Sequence, residues 1–238
     1  MTTPTADLGP LDGPLADALL DLEARQAVSR LWNHDHTLWS PDPTEIVDRL
    51  GWLDVLDDKA AARGRIDDFV ARLRRDGFTH CVIMGMGGSS LFPEVIARTF
   101  PTGRSGLAVQ VVDSTDPAAV ARTLAAVPED ATLFLASSKS GGTIETRSHL
   151  EFFWPEQFAV ITDPGSDLGH LARERGFREV FENRADIGGR YSALSFFGLV
   201  PAALNGTDWF GLVERAQEVV PHLRSADPAV NPGLWLGA

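Results

Sequence analysis

The spacing of apolar and polar positions divides the chain into a helical start, an alternating middle and a helical end. Over residues 14–32, Leu15, Ala18, Leu19, Leu22 and Ala27 recur near helical spacing, and one helix is predicted there. A short helix is predicted over 44–50, with Pro43 just ahead of it, where proline suits a helix start better than an interior. A longer helix over 57–75 puts Ile66, Phe69, Val70 and Leu73 on one face and stops at Gly77. From residue 80 the pattern becomes short apolar runs at 80–84, 108–113, 132–137, 157–162 and 179–181. The stretches between them, 91–100, 117–127, 143–153 and 168–175, read as helices. Strands alternating with helices imply βαβ units and a parallel sheet covered on both faces. The expected fold class is therefore α/β: a three-layer αβα domain with a parallel sheet of about five strands, preceded by N-terminal helices. Further helices are predicted over 191–204 and 208–223, and Leu234, Trp235 and Leu236 behind Pro232 read as the opening of another. That apolar ending, without a polar tail, is what a chain cut inside a larger protein would show. Residues 1–12, rich in Thr, Pro and Gly, are expected to be mobile.

Composition narrows the classes. With 238 residues, 44% apolar and 23% charged, the chain is that of a globular protein able to bury a sizeable core. A net charge of −12 argues against nucleic-acid binding through a basic surface. It says nothing against a small anionic ligand, which local backbone amides and one or two cations can hold. No apolar stretch reaches membrane-spanning length, and the N-terminus lacks the basic start and apolar core of a signal peptide, so no membrane partner is expected and the cytoplasm is the expected compartment. The single cysteine, Cys81, excludes an internal disulfide and sits in an apolar run, where it reads as a buried strand residue.

In open parallel sheets, ligands bind beyond the carboxyl ends of the strands. After the first strand comes Gly85-Met86-Gly87-Gly88-Ser89-Ser90, a glycine-rich turn into a helix. It matches the dinucleotide fingerprint only in part, since Ser90 stands at the third glycine position, although Asp113 could mimic the ribose-binding acid. A tight turn with no ligand is the other reading. After the third strand comes Ser137-Ser138-Lys139-Ser140-Gly141-Gly142-Thr143, again opening a helix. Hydroxyls, a lysine and flexible backbone at a helix N-terminus are what a phosphate dianion needs; the alternative is an ordinary Ser/Gly loop. Glu145 in the following turn favours the helix dipole. Residues 162–166, Thr-Asp-Pro-Gly-Ser, read as a turn plus helix cap. After the fifth strand, Gly188-Gly189-Arg190-Tyr191-Ser192 aims a guanidinium at one point, which suits a developing oxyanion. A surface arginine is the bland alternative. His34-Asp35-His36 lacks a third ligand cluster at a useful spacing, so no metal is expected there, and Trp32 and Trp39 are expected to pack.

Together, Gly85-x-Gly87-Gly88-Ser89, Ser138-Lys139-Ser140 through Thr143-x-Glu145-Thr146, and Gly189-Arg190-Tyr191-Ser192 resemble three successive signatures of glucose-6-phosphate isomerases, enzymes built from two sugar-isomerase (SIS) domains. The resemblance covers about residues 50–238, and the start of the chain, including LWNHDHTLW, is similar to the isomerase half of bacterial transaldolase–isomerase fusions. It implies that Gly88 and Ser89 contact the sugar, that Ser138, Lys139, Ser140 and Thr143 hold the 6-phosphate, and that Arg190 stabilises a cis-enediol(ate) between glucose 6-phosphate and fructose 6-phosphate. It implies no metal or organic cofactor, and a homodimer when full length. Ser140 and the pair Gly141-Gly142 depart from the family's usual residues, which puts the rigidity of that loop in question. The family's general base, a glutamate, and its ring-opening His and Lys belong to later motifs that do not appear, so this stretch alone is expected to be inactive. The implied organisation is an N-terminal helical segment over 1–55, a SIS domain over 56–205 and a helical connection over 206–238 to a second SIS domain. Two other readings stay open: a stand-alone SIS module that senses a phosphosugar, and a dinucleotide-binding domain.

Overall fold

A computed structural model of the chain describes residues 8–153 and 157–238; residues 1–7 of the stretch expected to be mobile lie outside the described residues, and the side chains of residues 58–61 are likewise not described. In chain order the helices and strands are α1 (Asp12–Ala24), α2 (Ala27–Trp32), α3 (Lys59–Arg75), β1 (His80–Gly85), α4 (Leu91–Thr99), β2 (Ala108–Val112), α5 (Pro117–Ala125), β3 (Thr132–Ser137), α6 (Ile144–Phe152), β4 (Phe158–Thr162), α7 (Asp167–Glu174), β5 (Val180–Glu182), α8 (Phe196–Leu204), α9 (Trp209–Leu223) and α10 (Pro232–Gly237). The five strands form one sheet in the order β2-β1-β3-β4-β5, every pair parallel. The expected three-layer αβα class is what the structure has.

The period-2 alternation of each strand divides the core into two layers. Cys81, Ile83, Leu133, Leu135, Ala159 and Ile161 face a layer built on α3, α8 and α9. Their neighbours Val82, Met84, Phe134, Ala136, Phe158 and Val160 face α6 and α7. Because both faces are covered, β3 and β4 are buried at every position and read as unbroken apolar runs. Helix α3 presents Ile66, Phe69, Val70 and Leu73 to the core, as its spacing predicts. Cys81 is buried as expected, and its burial pushes the thiol far above the ordinary range.

Three predicted helices are redrawn. The helix expected over 14–32 breaks at Gln26, whose left-handed φ of 51° ends α1's run and starts α2. The helix expected over 44–50 is only a 3-10 turn, Val47–Arg49, because Glu45 at φ 56° interrupts helical geometry. The helix expected over 191–204 begins at Phe196: Ser195 takes extended backbone angles and its hydroxyl accepts from the Phe197 amide as an N-cap, while residues 189–194 form a 3-10 turn. Trp39 does not pack; it closes the surface turn His36–Leu38 and is 52% exposed. Trp32 is partly buried, donating through Nε1 to Leu223 O at 3.1 Å beneath the Arg224 guanidinium. Among the described residues no helix is long and apolar enough to cross a membrane.

Candidate functional site

Strand order changes direction between β1 and β3: the chain moves from β1 to β2 on one side and returns to pair β3 on the other. Such a switch point leaves a crevice at the carboxyl ends of the two strands. Here Gly85 and Ser137 are register partners, so the two following loops leave the sheet at the same level. The Ser137 hydroxyl donates to Ser89 O at 2.9 Å and ties the loops together. A side chain at residue 85 would meet Ser137 O at 2.9 Å, so glycine permits this closeness.

The third motif joins them through glycine as well. A Cβ on Gly88 would lie 2.0 Å from Gly189 O, so the backbones of the first and third motifs touch at a point where residue 88 cannot bear a side chain. The Ser192 hydroxyl donates to Gly189 O at 2.7 Å and reaches Gly88 O at 3.4 Å. Three loops separated by some 50 residues each are thus fastened at one end of the sheet. Arg190 projects from this junction, exposed and without a partner among the described residues. Its loop is braced from the N-terminal segment: Leu50 bridges Ile187, Gly51 N donates to Asp186 O at 2.8 Å, and Trp52 stacks on Tyr191 at 5.2 Å.

The loop after β3 has its own logic. Ser138, buried, and Thr143 share a hydroxyl–hydroxyl hydrogen bond of 2.9 Å that closes the loop on itself. Thr143 is the N-cap of α6 by position, yet its side chain does not cap the helix. Among the described residues the amides of Ile144, Glu145 and Thr146 therefore have no partner, and the positive end of α6 is left open to an anion. Ser140 is exposed and accepts from Gly142 N at 3.2 Å. Gly141 has φ +71°, and a Cβ there would lie 2.9 Å from Leu168. Glycine at this position is fitted to a left-handed turn pressed against α7.

Lys139 is the residue that sequence reasoning placed differently. Its ammonium pairs with the Asp163 carboxylate and donates to Ala185 O at 2.7 Å, pointing towards the loops after β4 and β5. Asp163 belongs to the segment read as a turn plus cap. The cap is there, since Ser166 Oγ accepts from Gly169 N at 3.0 Å, but the neighbouring aspartate's partner lies on another strand's loop and left no local signal. Burial pushes the Asp163 carboxyl upward, and the Lys139 ammonium opposes that shift without cancelling it. Asp113, weighed as a ribose-binding acid, is an exposed residue just past β2, which is an edge strand away from the switch point. In the His34–His36 segment Asp35 caps a turn: the Thr37 hydroxyl, then Arg30, hold its carboxyl down to about 2. His34 pairs with Asp54 at 3.1 Å. Among the described residues no three His, Cys, Asp or Glu side chains gather as a metal set.

Comparison with known proteins bears on this arrangement. Residues 61–152, which carry the first two loops, match the family profile described as Phosphoglucose isomerase. The chain is 31% identical over 241 residues to a glucose-6-phosphate isomerase of Acaryochloris marina (strain MBIC 11017), covering 95% of this chain and 44% of the relative. The chain belongs to the phosphoglucose isomerase family. A glucose-6-phosphate isomerase of Desulfitobacterium hafniense (strain DSM 10664 / DCB-2) is 34% identical over 171 residues, covering 67% of this chain and 32% of the relative. This family member thus spans under half the length of these curated relatives. The crystal structure of a glucose-6-phosphate isomerase from Chlamydia trachomatis D/UW-3/Cx shares its fold, with a TM-score of 0.72 at 23% identity over 95% of this chain and 50% of that one.

Proposed function

We propose that this chain is the sugar-phosphate-binding part of an aldose–ketose isomerase that interconverts glucose 6-phosphate and fructose 6-phosphate through a cis-enediol(ate). The observation that carries this is the pairing of two unlike elements at one switch point: an uncapped, amide-rich start of α6 and an Arg190 without a partner among the described residues, on a loop fastened to the neighbouring strand's turn. The first suits a phosphate dianion, held by amides and by the hydroxyls of Ser138, Ser140 and Thr143. The second suits charge developing on a sugar oxygen during proton transfer. Gly88 and Ser89, between the two, are the proposed contacts to the sugar. The strand order here differs from the 3-2-1-4-5-6 order of dinucleotide-binding sheets, which weakens that alternative.

Proton transfer between C1 and C2 needs a base within about 3 Å of the proton. We assign that base, and the ring-opening groups, to other parts of the full-length protein, with residues 56–205 as the phosphate-binding domain and 206–238 leading to its second domain. In that protein the enzyme would serve glycolysis and gluconeogenesis in the cytoplasm, as a homodimer, without metal or organic cofactor. The test has two arms. In thermal shift, fructose 6-phosphate should raise the melting temperature of this chain and NAD should not, because a ligand of the folded state alone stabilises it. In a coupled isomerase assay the chain alone should be inactive; robust turnover would overturn the assignment of the base elsewhere.

A further inference from the structure

Lys139 was expected to offer its charge to the phosphate, and its surroundings point to another task. The ammonium is held by Asp163 and by Ala185 O at 2.7 Å, and the Lys139 and Asp163 side chains are only 23% and 16% exposed. The backbone of Lys139 turns the same way: its carbonyl accepts from Asp163 N at 3.0 Å and lies 3.4 Å from the Thr162 hydroxyl. One residue earlier, Ser138 N donates to Ile161 O at 3.0 Å. Carbonyl and ammonium alike are therefore committed to the β4 and β5 side of the loop, away from the β1–β3 crevice. Ala185 precedes by one residue the Asp186–Ile187 stretch that is pinned to Gly51 and Leu50, and by five residues Arg190 itself.

We propose that Asp163 is a positioning residue: it holds Lys139 as a strut across the ends of β3, β4 and β5, fixing both the shape of the 138–143 loop and its spacing from the Arg190 loop, while the Lys139 ammonium is not itself a ligand of the phosphate. This rests on the phosphate-binding reading given above. A largely buried carboxylate with one oxygen unpartnered, as Asp163 Oδ1 is among the described residues, makes a poor stabilising device for its own sake. Its geometry is better explained by what it spans: the backbone bond from Asp163 N to Lys139 O joins the loops after β3 and β4, and the Lys139 ammonium, held by Asp163, reaches on to Ala185 O in the loop after β5.

The experiment uses the whole chain and four variants: Asp163→Ala, Asp163→Asn, Lys139→Met and the Asp163→Ala/Lys139→Met double. Two quantities are measured: fructose 6-phosphate affinity by calorimetry, and amide hydrogen exchange of residues 138–143 and 184–190 without ligand. A strut predicts that Asp163→Ala and Lys139→Met each weaken binding roughly tenfold, that the double variant loses no more than either, and that exchange rises in both loops. Asp163→Asn keeps an acceptor for the ammonium and should restore most of the affinity. If Asp163→Ala instead binds as well as or better than the parent while Lys139→Met loses affinity, the ammonium is a direct ligand and the proposal fails. If the parent chain binds no sugar phosphate, the phosphate reading fails, and the strut is judged by exchange alone: unchanged protection in Lys139→Met overturns it, and loss of protection in both loops of Lys139→Met sustains it. Should Asp163→Ala not fold, exchange in Lys139→Met carries the decision: faster exchange in both loops sustains the strut, and unchanged exchange overturns it.

Discussion

Gly88 has no side chain because Gly189 O occupies the place where its Cβ would be, 2.0 Å away. Both partners are backbone, so neither can swing aside, and a Gly88→Ala variant must push two loops apart. We expect a loss of about 1–3 kcal/mol in chemical denaturation, the usual range for overpacking, together with loss of fructose 6-phosphate binding. Gly87→Ala is the control: residue 87 has φ +55° with open space around it, so it should cost only about 1 kcal/mol of backbone strain and displace nothing. The motif glycines, the Ser138–Thr143 loop and Arg190 were legible in the sequence because each lies beside its own strand end. What they touch was not. Gly189 is 101 residues from Gly88, and Asp163 is 24 residues from Lys139, and neither pairing leaves a mark on local spacing. Lys139 illustrates that gap: its residue type and place suggested a phosphate ligand, and its pairing with Asp163 and Ala185 O left no mark on local spacing.

At the scale of elements, periodicity located the strands to within a residue or two because burial on both faces demands uninterrupted apolar runs. It was least informative where a single backbone angle decides. Helix spacing runs smoothly through Gln26 and through Tyr191–Leu194, yet a left-handed residue ends one segment and Ser195 restarts another. Ser195 is a case where the sequence does carry the signal, a serine ahead of an apolar run, but the run on its far side also looks helical. Its hydroxyl accepts from Phe197 N at 3.3 Å and donates to Ser192 O at 2.7 Å, so it ends the Arg190 turn and starts the buried α8 in one step. Ser195→Ala should cost about 1 kcal/mol of stability, the usual price of an N-cap. Because the same hydroxyl holds the Arg190 turn, amide exchange at residues 189–195 should rise as well; stability loss without that local change would mean the turn is held by its other contacts.

At the scale of the whole molecule, the sheet's last strand has only three residues and pairs with a strand on one side only, so something else must fasten it. That role falls to Glu179, just before β5. It pairs with Arg72 at 2.6 Å and Arg65 at 2.9 Å, both on α3, while the Arg65 guanidinium also donates to Val180 O and lies 4.9 Å from the Phe181 ring centre. Strand order and this cross-layer clamp were not legible in the sequence, since neither affects the spacing of apolar residues. Burial raises the Glu179 carboxyl, but the hydrogen bonds and charges of Arg65 and Arg72 outweigh it, and the net shift is downward from the ordinary 4.5. The sign follows directly. A carboxyl whose folded value lies below its unfolded one stabilises the fold fully above the unfolded value and loses that contribution as pH falls through the folded one. Asp163, shifted upward, has the opposite sign: its ionisation opposes folding, and acid relieves it. Denaturant unfolding at pH 7 should therefore show Glu179→Gln less stable by roughly 1 kcal/mol, within the range for a partly exposed charged pair. As pH falls below the ordinary 4.5 and through the lowered folded value, the difference between parent and variant should shrink, because the parent loses the clamp that the variant never had. A gap that stays constant across that interval would mean that Glu179 fastens β5 by packing and neutral hydrogen bonding, and that its charge contributes nothing to holding the edge of the sheet.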